Sequence, residues 1–437
     1  MAFTGRNGAL PSVYPVSELA TAAVALATSA IAEVGAIRAG QDAPLVHVDR
    51  VHASVAFRSE RYAEPIGWQL PPVWDPIAGD YRARDRWIRL HTNYASHRDA
   101  VLRVLGVEAT RDAVALATAK WDAEALETAV VDAGGAAACM RSADEWMAHP
   151  QGKAVAAEPL FMRETRAGTT PNLAKPHRAP LEGVRVLDLT RVIAGPVGTR
   201  VLAAYGASVL RIDPPAFEEV GAILPESTPG KRRAFLDLRR PEGRAQLETL
   251  LRDAHIIVHG YRRDALDKLG LGEARLREIN PSVIDIAHVA YGWSGPWSNR
   301  RGFDSLVQMS SGIADRGRKA KQCEEPTPLP AQALDHACGY LIAAAAARGV
   351  ARLLAEGQAS AFRLSLARVA KLLCDRVDGA PADASALEES EIDACRETAE
   401  TAFGTMRRVR CPGSLEGCAP QWTLPAGPLG TDAPSWA

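Results

Sequence analysis

The chain has 437 residues, 47% of them hydrophobic, and its 51 Lys and Arg offset 52 Asp and Glu to a formal net charge of −1. That length accommodates two or three domains with substantial cores, and so even a charge gives no electrostatic basis for binding nucleic acid or an anionic membrane. The seven cysteines (139, 323, 338, 374, 395, 411 and 418) form no CxxC pair and no Cys/His cluster at zinc spacing, which predicts reduced thiols in a cytoplasm and no metal site.

Residues 19–36 are apolar but mostly Ala and Thr, carry Glu33, and follow a leader with two prolines instead of a basic start. They predict a packed helix of a soluble protein rather than a secretion signal or membrane span. Residues 1–162 form a first module, and 163–180, polar and punctuated by prolines, predict a linker. From 181 onward short apolar runs alternate with helical patterns: strands over 184–189, 208–213, 255–259 and 283–289, helices over 198–205 and 241–253. This alternation predicts an α/β fold over 181–374, with a parallel sheet covered on both faces. Residues 375–400 are acidic and 403–436 are rich in Pro, Gly and Trp, so 375–437 reads as an acidic linker and a tail that wraps over another surface.

The chain repeats itself at long range. Glu18 and the pair Gly40-Gln41 recur as Asp335 and Gly357-Gln358 at one offset of 317 residues, each acid near the start of an Ala-rich helical pattern. After a one-residue slip, 46–49 and 362–365 both read as strands followed by an apolar helical start. Duplication and the chance likeness of two Ala-rich helices both account for this pattern.

The loop from Thr190 to Thr199, with Gly195, Pro196 and Gly198, joins a strand to its helix, where backbone amides and the helix dipole receive a phosphate or carboxylate. It lacks the GxGxxG spacing, which disfavours NAD binding, although Asp213 closes the second strand where a ribose-binding acid would sit. Lys231, Arg232, Arg233, Arg262, Arg263 and Lys268 fall near strand ends, where they read either as polyphosphate contacts or as solvated loop charges. Asp335 opens a small-residue run to Arg348, so the residues alone leave it a nucleophile, a base or a helix N-cap.

Several short blocks carry a resemblance: 183–189, Ala194-Gly195-Pro196, 202–214, 230–238, Leu269-Gly270-Leu271, Ile279-Asn280-Pro281, 291–296, Arg301-Gly302-Phe303-Asp304, and Asp335 with Gly339. In order and spacing from 181 to about 370, they resemble the family III CoA-transferases, a group that includes formyl-CoA and carnitine CoA-transferases and the related α-methylacyl-CoA racemases. The resemblance implies a Rossmann-like parallel sheet in the large domain, a second smaller α+β domain, and an interlocked homodimer. It implies an acyl-CoA:carboxylate CoA-transferase with Asp335 as nucleophile, passing through an enzyme anhydride and an aspartyl-CoA thioester. Coenzyme A and acyl-CoA would be substrates, with no tightly bound cofactor.

Asp304 and Gly339 would support the nucleophile, and Ala194, Gly195, Tyr261, Lys268 and Arg301 would contact CoA. Phe303 stands where the racemases place a proton-exchanging histidine. A phenyl ring carries no proton, and His336 diverges in direction from Asp335, so transfer ranks above a racemase-like isomerase. Segments such as 85–90, 100–106 and 140–152 resemble what ordinarily follows the aspartate half, yet precede it here, and Gly134-Gly135 is too short for the family's glycine-rich loop. This order suggests a duplicated and truncated, or permuted, chain in which Glu18 is a relic acid; an inactive CoA-binding paralogue is the other alternative.

Overall fold

The computed structural model describes residues 1–217, 219–380 and 384–436. Helix α1 (Val16–Ala39) contains no proline and ends at Gly40, whose φ of 65° is the left-handed stop that glycine takes without strain. Strand β1 (Val46–Asp49) leads directly into α2 (Arg50–Ala56), capped by the Asp49 carboxylate, which accepts the His52 amide. A small antiparallel sheet follows: β2 (Gly79–Arg82), β3 (Trp87–Leu90) and, after α3 (Ala95–Leu105) and two more helices, β4 (Ala137–Cys139).

Strand β5 (Met162–Ala167) opens the large sheet, succeeded by β6 (Arg185–Leu189), α4 (Ala194–Ala204), β7 (Ser208–Asp213), β8 (Lys231–Phe235), α5 (Pro241–Arg252), β9 (Ile256–His259) and β10 (Ile284–Val289). After α6 (Asp304–Ser310) come α7 (Ala333–Glu356), β11 (Gln358–Ser365) and α8 (Leu366–Cys374). The sheet order is β8-β7-β6-β9-β10-β11-β5, parallel throughout except for β5. Its six parallel strands therefore run 3-2-1-4-5-6 in chain order, and the order reverses between β6 and β9. Ligands of open α/β sheets bind at such a point, beyond the carboxyl ends of the strands.

Two boundaries differ from expectation. Residues 163–167, read as the start of a linker, belong to β5 and pair with β11. The polar run Arg163-Glu-Thr-Arg166 hides its strand character because an edge strand tolerates polar residues. In the C-terminal region a hairpin (Arg396–Thr401 and Gly404–Val409) pairs with Glu64–Pro65, and Ser414–Leu415 pairs with β1. The tail beyond is fastened by indole N–H donors, Trp422 to the Arg200 carbonyl (2.9 Å) and Trp436 to the Leu250 carbonyl (3.0 Å). Residues 381–383 of the acidic stretch lie outside the described residues.

α7 is the axis of the core, with α1 and α4 packed on it. Gly198 and Gly339 make the α4 contact: a Cβ on Gly339 would stand 2.6 Å from the Ala194 carbonyl oxygen, and one on Gly198 2.7 Å from that of Gly339. α1 and α7 are long and apolar enough to cross a membrane by length and composition, but here they pack together and are bridged by Glu33 and Arg348.

Candidate active site

At the switch point a cavity of about 380 Å³ opens beyond β6, β9 and β10, lined by Leu189, the 191–194 turn, Gly260 to Arg262, His288 to Ala290 and Arg300 to Phe303. Asp335 contributes to its wall, and the first module adds Tyr94, Ser96 and His97 from the start of α3. The site thus needs both parts of the chain.

Asp335 is the third residue of α7 and 7% exposed. It is not the helix N-cap that its sequence position allowed. That role falls to Asp304, whose Oδ2 accepts the amides of Leu334 (2.8 Å) and Asp335 (3.1 Å). Gln308 donates to the other Asp304 oxygen while its own carbonyl accepts the Leu329 amide at 2.7 Å. Relieved of capping, the Asp335 carboxylate accepts no hydrogen bond from any described residue and faces the cavity. Burial, then the charges of Asp304 and Glu60, push its carboxyl well above the usual range, and burial pushes Asp304 up to about 6. A carboxylate deprived of water and donors is a stronger base and nucleophile than one in water.

His336 turns away from the cavity. Its Nε2 lies 3.0 Å from the Glu60 carboxylate and its ring stacks on Phe57. Burial opposes ionisation of Glu60, but His336 outweighs it and holds that carboxyl below its ordinary value. Phe303 lines the cavity and stacks on His91 (ring centres 3.6 Å apart), with His97 edge-on at 5.8 Å. Burial, then the charge of Arg301, lowers His97 to about 4, so its ring is neutral at ordinary pH.

Of the residues expected at CoA, the cavity brings together Ala194, Tyr261 and Arg301 with Asp335. Gly195 is absent from the wall, because it lies against Thr190, where a Cβ would come within 2.2 Å of the Thr190 side chain. Gly339 lies outside the wall, one turn further along α7 from Asp335, where it allows the close approach of α4. Lys268 is a solvated charge outside the cavity, paired with Asp264 four residues earlier. Arg262 and Arg301 both line the cavity, and neither has a carboxylate within ion-pair distance among the described residues. Burial and Arg262 lower the Arg301 pKa from its ordinary value, as two neighbouring cations without an anion require. Gly260 leaves room for His288, since a Cβ there would meet its Nε2 at 2.5 Å.

The other candidate cations are engaged. Lys231 is wholly buried, bonded to Asp188 (2.9 Å) and the Pro196 carbonyl (3.1 Å); desolvation, opposed by Asp188, lowers it to about 8. Arg232 and Arg233 donate to tail carbonyls at Ser435 (2.7 Å) and Pro425 (2.8 Å), and Arg263 donates to that of Trp293 (2.9 Å). Asp213 is paired with Arg211 rather than free for a ribose.

Residues 181–384 match the family model for CoA-transferase family III. An acetyl-coenzyme A transferase, nodX, of Hypoxylon pulicicidum is 34% identical over 160 residues, spanning 36% of this chain and 27% of its own length. A succinate–glutarate CoA-transferase of Agrobacterium fabrum is 34% identical over 154 residues, spanning 31% of this chain and 38% of its own. The crystal structure of Rv3272 from M. tuberculosis is similar at a TM-score of 0.42 and 27% identity, covering 46% of this chain and 59% of that one. The chain spans between 23% and 51% of the length of the first curated relatives it matches. Over residues 181–384 it is a relative of the family III CoA-transferases.

The wall from the first module carried no motif that pointed to the site. Tyr94, Ser96 and His97 reach the cavity through contacts with distant segments, Tyr94 with Glu219 and His97 with Phe303, a relation that local periodicity does not encode.

Proposed function

We propose that the chain is an acyl-CoA:carboxylate CoA-transferase with Asp335 as its nucleophile. The observation that carries this reading is the Asp335 carboxylate itself, buried and unbonded in a cavity that also holds two unpaired guanidinium groups. An Asp335 oxygen attacks the thioester carbonyl, the C–S bond breaks, and CoA leaves as thiolate from a mixed anhydride. The thiolate then attacks the aspartyl carbonyl and expels the donor carboxylate, which gives an aspartyl-CoA thioester. An acceptor carboxylate repeats the two exchanges in reverse order and regenerates Asp335. No step consumes electrons.

Arg262 and Arg301 supply charge complementary to the phosphates of CoA. The Ile193 and Ala194 amides at the start of α4 bond to no described acceptor and are placed to receive the oxyanion of the tetrahedral intermediates. Phe303 at the wall supports transfer over α-proton exchange. A homodimer and a cytoplasmic location belong to the same reading; light scattering of the purified chain tests the first.

The test of function is incubation with a mixed panel of acyl-CoA esters, a hydroxylamine quench, and peptide mass spectrometry. A hydroxamate at Asp335 is expected and identifies the donor. CoA-dependent thermal stabilisation without any adduct would favour a binding paralogue.

A further inference from the structure

We infer that Glu219 is a positioning residue of this site, one that holds the turn at Val192 in a strained shape and is itself set by the first module through Tyr94. The inference rests on the CoA-transfer reading above and extends it to a residue with no direct part in the chemistry. Val192 has a φ of 63°, one of two non-glycine residues on the positive side among those described. A β-branched side chain is disfavoured there, so something must hold it.

Glu219 is what holds it. Its Oε2 accepts the Val192 amide at 3.1 Å and the Arg211 guanidinium at 3.0 Å, while its Oε1 accepts the Tyr94 hydroxyl at 2.9 Å and the Val220 amide at 3.0 Å. The side chain is 1% exposed, and each of its two oxygens accepts two donors. Val192 leads directly into Ile193, the N-cap of α4, and Ala194, its first residue, both in the cavity wall with Asp335. Rotation of the turn at Val192 out of its left-handed conformation would re-aim their amides, while the sheet and α7 stayed in place. Tyr94 also lines the cavity, so the clamp ties the amides to the presence of the first-module wall.

The test uses the full chain and the donor found by hydroxamate mapping. Glu219→Gln keeps the shape but turns one acceptor into a donor facing donors. It is expected to lower kcat about a hundred-fold, as a misplacement near 1 Å does, with KM for acyl-CoA nearly unchanged. Adding Val192→Gly should restore about ten-fold or more of that loss, because glycine takes the same φ unaided. A purely structural role for Glu219, as partner of Arg211, predicts no such rescue.

If Glu219→Gln does not fold, Tyr94→Phe removes one hydroxyl from the same clamp and is expected to lower kcat about ten-fold with KM unchanged. Wild-type kcat in a folded Glu219→Gln or, failing that, in Tyr94→Phe overturns the inference, as does a Val192→Gly addition that rescues nothing. A wild-type chain that transfers no CoA overturns the underlying reading and this inference together, whereas wild-type turnover alongside unaffected variants overturns this inference alone.

Discussion

α1 and α7 are alike in length, in bounds and in the way they end. Val16–Ala39 and Ala333–Glu356 both have 24 residues, begin and end at the offset of 317, and stop at a left-handed glycine. Each is followed by a strand that runs without a break into a capped helix, with Asp49 capping one and Ser365 the other. Their acids, Glu18 and Asp335, occupy the same place in the first turn. What surrounds them differs. Asp335 has Asp304 capping its helix, α4 pressed against it and a cavity in front. Glu18 is half-buried, one of its oxygens has no donor, and the Asp335 cavity does not reach it. The surroundings of an acid on a helix set its environment, and the two helices separate that contribution from the helix itself.

The largest effect should come from the acids. Asp335→Ala is expected to cut CoA transfer by about four orders of magnitude or more, as loss of a covalent nucleophile does, while CoA-dependent thermal stabilisation persists. Glu18→Ala should leave kcat within about two-fold. Steady-state turnover of both variants breaks the comparison if they lose activity alike.

Next come the helix contacts. Gly339→Ala drives a methyl into the Ala194 carbonyl and Val197 and should cost about 1–3 kcal/mol in urea unfolding. The matching position on α1 is Ala22, already exposed with its methyl in place, where Ala22→Gly should cost no more than about 1 kcal/mol.

A smaller effect is expected in pH dependence. Asp304→Asn can still accept the two amides but removes a charge that raises the Asp335 carboxyl, so the acid limb of kcat/KM should move to lower pH. The folded carboxyls of Asp304 and Asp335 titrate above their unfolded values, so the folded state binds more protons there and stability falls as pH rises through them. Asp335→Asn removes that loss and should raise Tm more at about pH 8 than at about pH 5, by calorimetry. The smallest change is Glu18→Gln, expected to raise Tm at about pH 8 by no more than a few degrees, because burial already disfavours the charged form.

Most elements of 181–374 could be read in advance because alternating apolar strands and amphipathic helices are local signals: the strand at 208–213 falls where it was expected, and the helix expected over 241–253 ends one residue earlier. The charged residues were harder. Lys231 looks like a free cation in the sequence and is an ion pair with Asp188, 43 residues away, whereas Lys268, expected at CoA, pairs with Asp264 at an i, i+4 spacing that the sequence reading passed over. Asp335 stood out through its resemblance. That Asp304 caps its helix, and that Glu219 clamps Val192, follows only from contacts between distant segments.

The pairing of α1 with α7 also sets a problem for synthesis. A helix apolar enough to span a bilayer leaves the ribosome long before its partner 317 residues later. At about 5–20 residues per second the delay is on the order of 15–60 s, during which the part of α1 that packs on α7 lacks its partner. Contacts this distant in the chain close late, so the nascent protein depends on chaperones or on transient burial against its own first module until α7 arrives.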